Sequence, residues 1–225
     1  MKLAKPFVDV GLLTRDPDSM LAFWRDEIGL AYEERLDTGG GGVQHRLDLA
    51  GSVLKVNVVA EASASQPPGG IREILIARDD VTAPRRLVDP DGNAVALVPN
   101  GHEGVSQIGI VLRVRDAAAF DGWFGDVLQL DRLHPGAHRC GETLLFHDES
   151  EDAVVAGAPS GVGYRYLTIQ VYDCAAEHAG ILARGGAQGL APTRMRDVAK
   201  ISMVCDPDGG FTEISQRASL TGPLD

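Results

Sequence analysis

The sequence can be laid over itself without a gap. Val8–Leu30, VDVGLLTRDPDSMLAFWRDEIGL, aligns with Ile108–Leu130, IGIVLRVRDAAAFDGWFGDVLQL. Each copy starts with an apolar run, reaches an aspartate (Asp16, Asp116), then an aromatic pair (Phe23-Trp24, Trp123-Phe124), and closes on a leucine (Leu30, Leu130). Alternation at Val8, Val10 and Leu12, and at Ile108, Ile110 and Leu112, predicts a half-buried strand. The aspartate that follows can accept orphan backbone N–H groups at a helix start. Met20, Phe23, Trp24 and Ile28 fall at helical spacing, one apolar stripe to lay on a sheet. Three strand-like segments come next in the first copy: AYEERLD, GVQHRLDLA and SVLKVNVV, separated by the TGGGG run and by Ala50-Gly51.

A shorter repetition closes each half. DPDGNAVALV ends the first and DPDGGFTEIS the second. Alone, Asp-Pro-Asp-Gly is a common turn: proline presets φ, aspartate bonds the local backbone and glycine takes positive φ. Two copies, each closing a half that opens with the same strand and helix, indicate a duplicated architecture. A second unit begins at IREILIARDD, but only DVTAPRR stands where its helix belongs, and the proline argues against one. A fourth begins at YRYLTIQVYD and keeps a helix, CAAEHAGILARGG, closed by Gly185-Gly186. Gly-, Pro- or Ser-rich linkers join the units: Ala62–Gly70, Asn100–Ser106 and Gly157–Gly163. The expected halves are residues 1–100, with a degenerate second unit, and residues 105–220.

A chain of 225 residues can hold one large domain or two ordinary ones. Its net charge of −11 argues against a nucleic-acid partner, which needs a clustered basic surface. No apolar run is long enough to span a bilayer, and MKLAKPFVDVGLL reads as a first strand rather than a signal peptide. Cys140, Cys174 and Cys205 offer neither a disulfide framework nor zinc spacing, so a reducing cytoplasm is the expected setting and small buried hydrophobes their expected role.

VDVGLLTRDPDSMLAFWRDEIGL, VYDCAAEHAGILARGG and the two DPDG endings together resemble the vicinal oxygen chelate superfamily: glyoxalase I, bleomycin-resistance proteins and extradiol dioxygenases. The resemblance covers nearly the whole chain. It implies an α+β fold of four βαβββ units forming two glyoxalase-like domains, with cupped mixed sheets and helices on the convex faces. It also implies a divalent metal in a cup, held from the first strand of a unit and from just past the DPDG turn. Carried over, the first-strand ligand falls on Asp9 in unit one, Arg72 or Glu73 in unit two, Gly109 in unit three and Tyr166 in unit four. The last-strand carboxylate falls on Ala96 in the first half and Glu213 in the second. Ala96 and Gly109 cannot ligate a metal, so one cup is expected to work and the other to be structural or empty.

Two pairings are open. If unit one cups with unit two, each cup holds a single carboxylate, too few ligands for tight metal binding. If unit one cups with unit four, Asp9, Tyr166 and Glu213 converge with the unit-one hairpin; this concentrates the polar residues and is the favoured arrangement. Lys55 and Asn57 then point into the cup. A two-residue turn at Ala50-Gly51 adds Gln44 and Arg46 and turns His45 to the core, whereas a three-residue turn sends His45 into the cup. The expected catalytic residues are Glu213, Tyr166 and Asp9, and the expected substrate-binding residues are Lys55, Arg46 and Asn57. Glu213, Asp9 and His45 would hold one divalent metal (Fe, Mn, Mg or Zn), or none. His102, His134, His138, His147 and His178 are assigned to loops, a strand end or an exposed helix face, with HPGAH read as a flexible surface loop. The implied function is an enzyme acting on a small oxygen-rich, carbonyl or aromatic metabolite: a metal-assisted lyase, isomerase or ring-cleaving dioxygenase. The alternative is a metal-free binding protein of the bleomycin-resistance kind. The partner in either case is a small molecule, with no nucleic acid and no membrane, and a homodimer is compatible with both.

Overall fold

The computed structural model describes residues 1–39, 41–59, 69–156 and 160–224. Most of the Ala62–Gly70 linker, the start of the Gly157–Gly163 linker and Gly40 of the glycine run lie outside them. Unit one is β1 (Asp9–Thr14), α1 (Pro17–Ala22), β2 (Tyr32–Gly39), β3 (Gly42–Leu49) and β4 (Ser52–Val58). Unit two is β5 (Ile71–Arg78), β6 (Arg85–Val88) and β7 (Ala94–Pro99), with no helix between β5 and β6, as the proline required. Unit three is β8 (Ile108–Val114), α2 (Ala117–Gly122), β9 (Asp131–His134), β10 (Ala137–Cys140) and β11 (Thr143–Glu149). Unit four is β12 (Gly163–Gln170), α3 (Cys174–Ala183), β13 (Ala187–Met195), β14 (Ala199–Cys205) and β15 (Phe211–Arg217).

The helices start where aspartate permits. Asp16, Asp116 and Asp173 each accept a backbone N–H three residues on, from Ser19, Ala119 and Ala176 at 3.0–3.1 Å. Both α1 and α2 then widen into one π-helical turn, Phe23–Glu27 and Trp123–Val127, which the sequence did not announce. The extra residue per turn rotates the chain so that both members of each aromatic pair are buried against the sheet.

Two curled mixed sheets carry the helices on their convex faces. The first has the order β13-β14-β15-β12-β1-β4-β3-β2 and the second β6-β7-β5-β8-β11-β10-β9. Unit one therefore shares a sheet with unit four, and unit two with unit three, so each sheet takes strands from both sides of the linker near residue 100. Chemical matching accounts for the choice. On the concave side of the first sheet β1 presents Asp9, whose register partner on β12 is Thr168, itself paired with Glu213 on β15. Gly11 sits opposite Tyr166 and Lys55, and a methyl group there would overlap three ring carbons of Tyr166. The concave side of the second sheet is apolar apart from the Glu73–Arg86 ion pair. Leu75, Ala96, Val98, Leu144 and Val105 from the linker pack together there, backed by Ala77, Val111 and Phe146. Polar strand faces join polar ones, and the second cup is closed by its own side chains.

Each DPDG turn is tied by its first aspartate. Asp89 Oδ1 accepts from the N–H groups of Asp91 and Asn93 at 3.0 and 2.8 Å. Asp206 Oδ1 accepts from Asp208 and Gly210 at 2.9 and 2.7 Å. Burial pushes the Asp206 carboxyl up from 3.8 to about 6. A carboxyl whose pKa is raised in the folded state favours folding when protonated; that contribution is complete below pH 3.8 and is lost as pH rises through 6. Asp206→Asn keeps the accepting oxygen and removes the charge. It is expected to stabilise the protein by about 3 kcal/mol at pH 7 and by nothing at pH 3.5 or below, as measured by urea denaturation at the two pH values.

Candidate active site

The concave face of the first sheet gathers the polar side chains. Asp9 on β1 is completely buried. Its Oδ1 accepts from Lys5 Nζ at 2.8 Å and from the Val53 N–H at 2.9 Å, and its Oδ2 from Gln170 Nε2 at 3.1 Å. Lys55 on β4 is buried as well, and its Nζ donates to Glu213 Oε1 at 2.8 Å and to Thr168 Oγ1 at 2.7 Å. A buried ammonium and carboxylate are tolerated only when paired and hydrogen-bonded in this way.

The hairpin register is resolved by its turn. Ala50 and Gly51 both have positive φ, 53° and 91°, and Leu49 pairs with Ser52, the geometry of a two-residue primed turn. Arg46 then lies opposite Lys55 and Gln44 opposite Asn57 on the cup face, while His45 lies opposite Val56 on the other. There His45 Nδ1 is 3.0 Å from the Tyr32 hydroxyl, so the fold does not bring His45 to Asp9 or Glu213. Asn57 Nδ2 donates to the Tyr166 hydroxyl at 3.1 Å, and Asn57 Oδ1 accepts from Gln44 Nε2 at 2.9 Å. Burial, and then the Glu213 charge, push the Tyr166 phenol well above its ordinary range, so it stays protonated.

A cavity of about 180 Å³ opens over Lys55, Glu213, Gln44, Gln170 and Ser215. Both sheet edges contribute to it, through Leu36–Thr38 and Met195-Arg196. Four cationic side chains line it (Arg46, Lys55, Arg196, Arg217) against two anionic ones (Asp37, Glu213), and Glu33 and Glu34 stand just behind Arg46. A neighbouring hollow of about 230 Å³ contains Asp9. Arg46, Gln170 and Arg217 wall both spaces. Glu34 Oε1 accepts from Arg217 Nη2 at 2.8 Å and lies 3.1 Å from Arg46 Nε, joining the edge strand β2 to β15 across the face. Asp9 and Glu213 thus share a cross-strand row, separated by β12, and open into adjacent hollows.

The donor set of the cup does not suit a divalent metal. Each carboxylate already holds an ammonium group, and among the described residues no histidine or cysteine lines either hollow. Tight binding needs several deprotonated donors free to converge.

Such a convergence exists behind the second sheet. His147 Nε2 lies 3.1 Å and His138 Nε2 3.9 Å from Asp121 Oδ1. The imidazoles stack with centroids 5.8 Å apart and planes 19° from parallel, against Phe120 and Phe124. Burial lowers both imidazole pKa values, so the rings are neutral at pH 7. The expectation of a surface loop at HPGAH is corrected here: His134 is exposed, but His138 is fully buried on β10. His178, expected on an exposed helix face, is buried too, with Nε2 3.2 Å from Gln188 Oε1. The missed signal is a hairpin folded at Gly141-Glu142, which sets His138 opposite Leu145 and so diagonal to His147 on one face. The cysteines behave as read: Cys140 and Cys174 are buried, and burial pushes the Cys140 thiol up to about 12.

No family model matches the sequence, and no curated protein matches it. Solved structures do. Glyoxalase I from Zea mays superposes with a TM-score of 0.73 at 14% identity, over 96% of this chain and 92% of that one. A Bacillus subtilis protein described as a candidate dioxygenase gives 0.72 at 11% identity, over 96% and 85%. The cppA protein of Streptococcus pneumoniae gives 0.57 at 7% identity, over 96% and 98%. The chain has a glyoxalase-like fold of two cupped mixed sheets, as the resemblance implied, but only three of its four units are βαβββ; the second is three strands without a helix. Among the described residues no helix is long and apolar enough to cross a membrane.

Proposed function

We propose that the first cup is an active site for a small, oxygen-rich, carboxylate-bearing metabolite, and that the chain is a lyase or isomerase that moves a proton without a metal in that cup. The carrying observation is the buried Lys55–Glu213 pair in a cavity lined by three arginines as well. A space of about 180 Å³ is below the several hundred Å³ typical of drug-sized ligands, which favours a compact substrate. Arg46, held between Gln44 and Glu34, offers a planar fork suited to a carboxylate, and Asn57 fixes Gln44 beside it. Glu213 contacts Lys55 through Oε1; its other oxygen takes the substrate proton, and the ammonium stabilises the oxyanion that develops. Tyr166 serves as a protonated anchor rather than a base. Asp9, in the adjacent hollow, fixes Gln170, which lines the substrate cavity.

The apolar wall of Leu36, Met195, Val198 and Ile201 favours a second reading, reversible sequestration of a ligand without chemistry. A panel of 2-oxo and 2-hydroxy carboxylates separates the two. Binding is followed by thermal shift, and loss of the α-proton to deuterated solvent by NMR. The expected result is binding with exchange in the parent, binding weakened roughly 10- to 100-fold in Arg46→Ala from loss of charged hydrogen bonds, and binding without exchange in Glu213→Gln. Binding without exchange in the parent favours sequestration. Failure of every carboxylate to bind overturns both.

A further inference from the structure

We propose that Asp121, His138 and His147 form a binding site for a borderline first-row divalent cation of the Zn²⁺ kind, on the convex side of the second sheet and separate from the cup. The three donor atoms lie within 4.8 Å of one another. A tetrahedral ion with bonds of about 2.0–2.1 Å holds its ligands about 3.3 Å apart, and the observed 3.1 and 3.9 Å from Asp121 Oδ1 to the two Nε2 atoms bracket that value. Two imidazoles and one carboxylate are a donor set that zinc and its neighbours accept and that magnesium or calcium does not favour.

The second observation is the state of the imidazoles. Both side chains are completely enclosed, and the Nδ1 atom of each is buried without a hydrogen-bond partner. The polar outlet of either ring is therefore the space beside Asp121. One carboxylate oxygen must serve both, and it also accepts the Gly136 N–H at 3.1 Å. His138 Nε2, at 3.9 Å, is beyond hydrogen-bond reach of it; the ring interacts with the Asp121 backbone and accepts a long contact from Arg132 Nε at 3.5 Å. Both enclosed rings turn Nε2 toward the same carboxylate oxygen, so a shared cation beside it engages both Nε2 lone pairs together. Arg132 is exposed and held through Nη2 to the Asp121 carbonyl at 2.8 Å. Swinging it aside opens the coordination position that faces solvent. The bound ion pins α2 to the β10–β11 hairpin.

The test is titration of the intact protein with Co²⁺, read by the visible absorption of a tetrahedral ion, followed by displacement with Zn²⁺ and a parallel thermal melt. One ion per chain and a raised Tm are expected. His138→Gln and His147→Gln, checked for folding by circular dichroism, should weaken binding by more than the roughly 10- to 100-fold that loss of an outer partner costs. Asp121→Asn, at a partly exposed carboxylate, carries the same expectation should the histidine variants misfold. Arg132→Ala removes the competing cation and should tighten binding, while Glu213→Gln should leave it unchanged. No Co²⁺ spectrum in the parent, binding that survives loss of the ligands, or weakening by Arg132→Ala or Glu213→Gln overturns the proposal.

Discussion

Lys55→Met is expected to destabilise the protein by about 3–5 kcal/mol, the usual consequence of removing one partner from a buried ion pair. Lys55 and Glu213 are 5% and 9% exposed at the side chain, so water from the cavity replaces the lost partner only in part. The variant leaves Glu213 as an uncompensated buried charge and takes from Thr168 its 2.7 Å donor. The pair as a whole need not be a large net stabiliser, because desolvation offsets most of its attraction. Lys55→Met/Glu213→Leu should therefore recover most of the loss while remaining inactive. Urea midpoints with unchanged slopes would measure this. Under acid conditions, where protonation neutralises the orphaned carboxylate, the single variant should approach the double. A loss below about 1 kcal/mol would place the pair in the class of solvated surface bridges and remove the basis for its proton-handling role.

Gly11→Ala should cost about 2–3 kcal/mol, at the upper end of ordinary overpacking. The added methyl overlaps Tyr166 ring carbons, and β1 is hydrogen-bonded on both sides, to β12 and β4, so it cannot back away. The ring is in turn held through its hydroxyl by Asn57. Tyr166→Ala in the same chain opens room for the methyl, so the double variant should be less destabilised than the sum of the singles, with a coupling of about 0.5–3 kcal/mol. Additive losses would mean that the ring does not rest on Gly11 in solution. Displacement of Tyr166 should also disturb Asn57 and Gln44, so Gly11→Ala is expected to weaken carboxylate binding as well as stability.

Much of this was legible in the residues. The gapless repeat announced two strand–helix units, the aspartates announced their caps, and Pro84 announced the missing helix of unit two. Alanine at position 96 against glutamate at 213 announced that the cups would differ, although not that the second would be packed shut by Leu75, Val105 and Leu144. Other features were hidden. The π-helical turns insert one residue into a pattern that still reads as helix. His138 and His147 sit nine positions apart in chain segments whose polarity suggested a surface, and only the β10–β11 register and the position of α2 bring them to Asp121.

The sequence by itself determined the units, because strand alternation, helix capping and turn geometry act over a few residues and are written in neighbouring positions. The tertiary structure alone decided which units share a sheet, that Lys55 meets Glu213 across 158 positions of chain, that a two-residue turn aims Arg46 rather than His45 into the cup, and that Asp9 and Glu213 face adjacent hollows. Those outcomes depend on pairing energies between distant strands, where one residue of register exchanges the faces of a strand and no local signal records the choice.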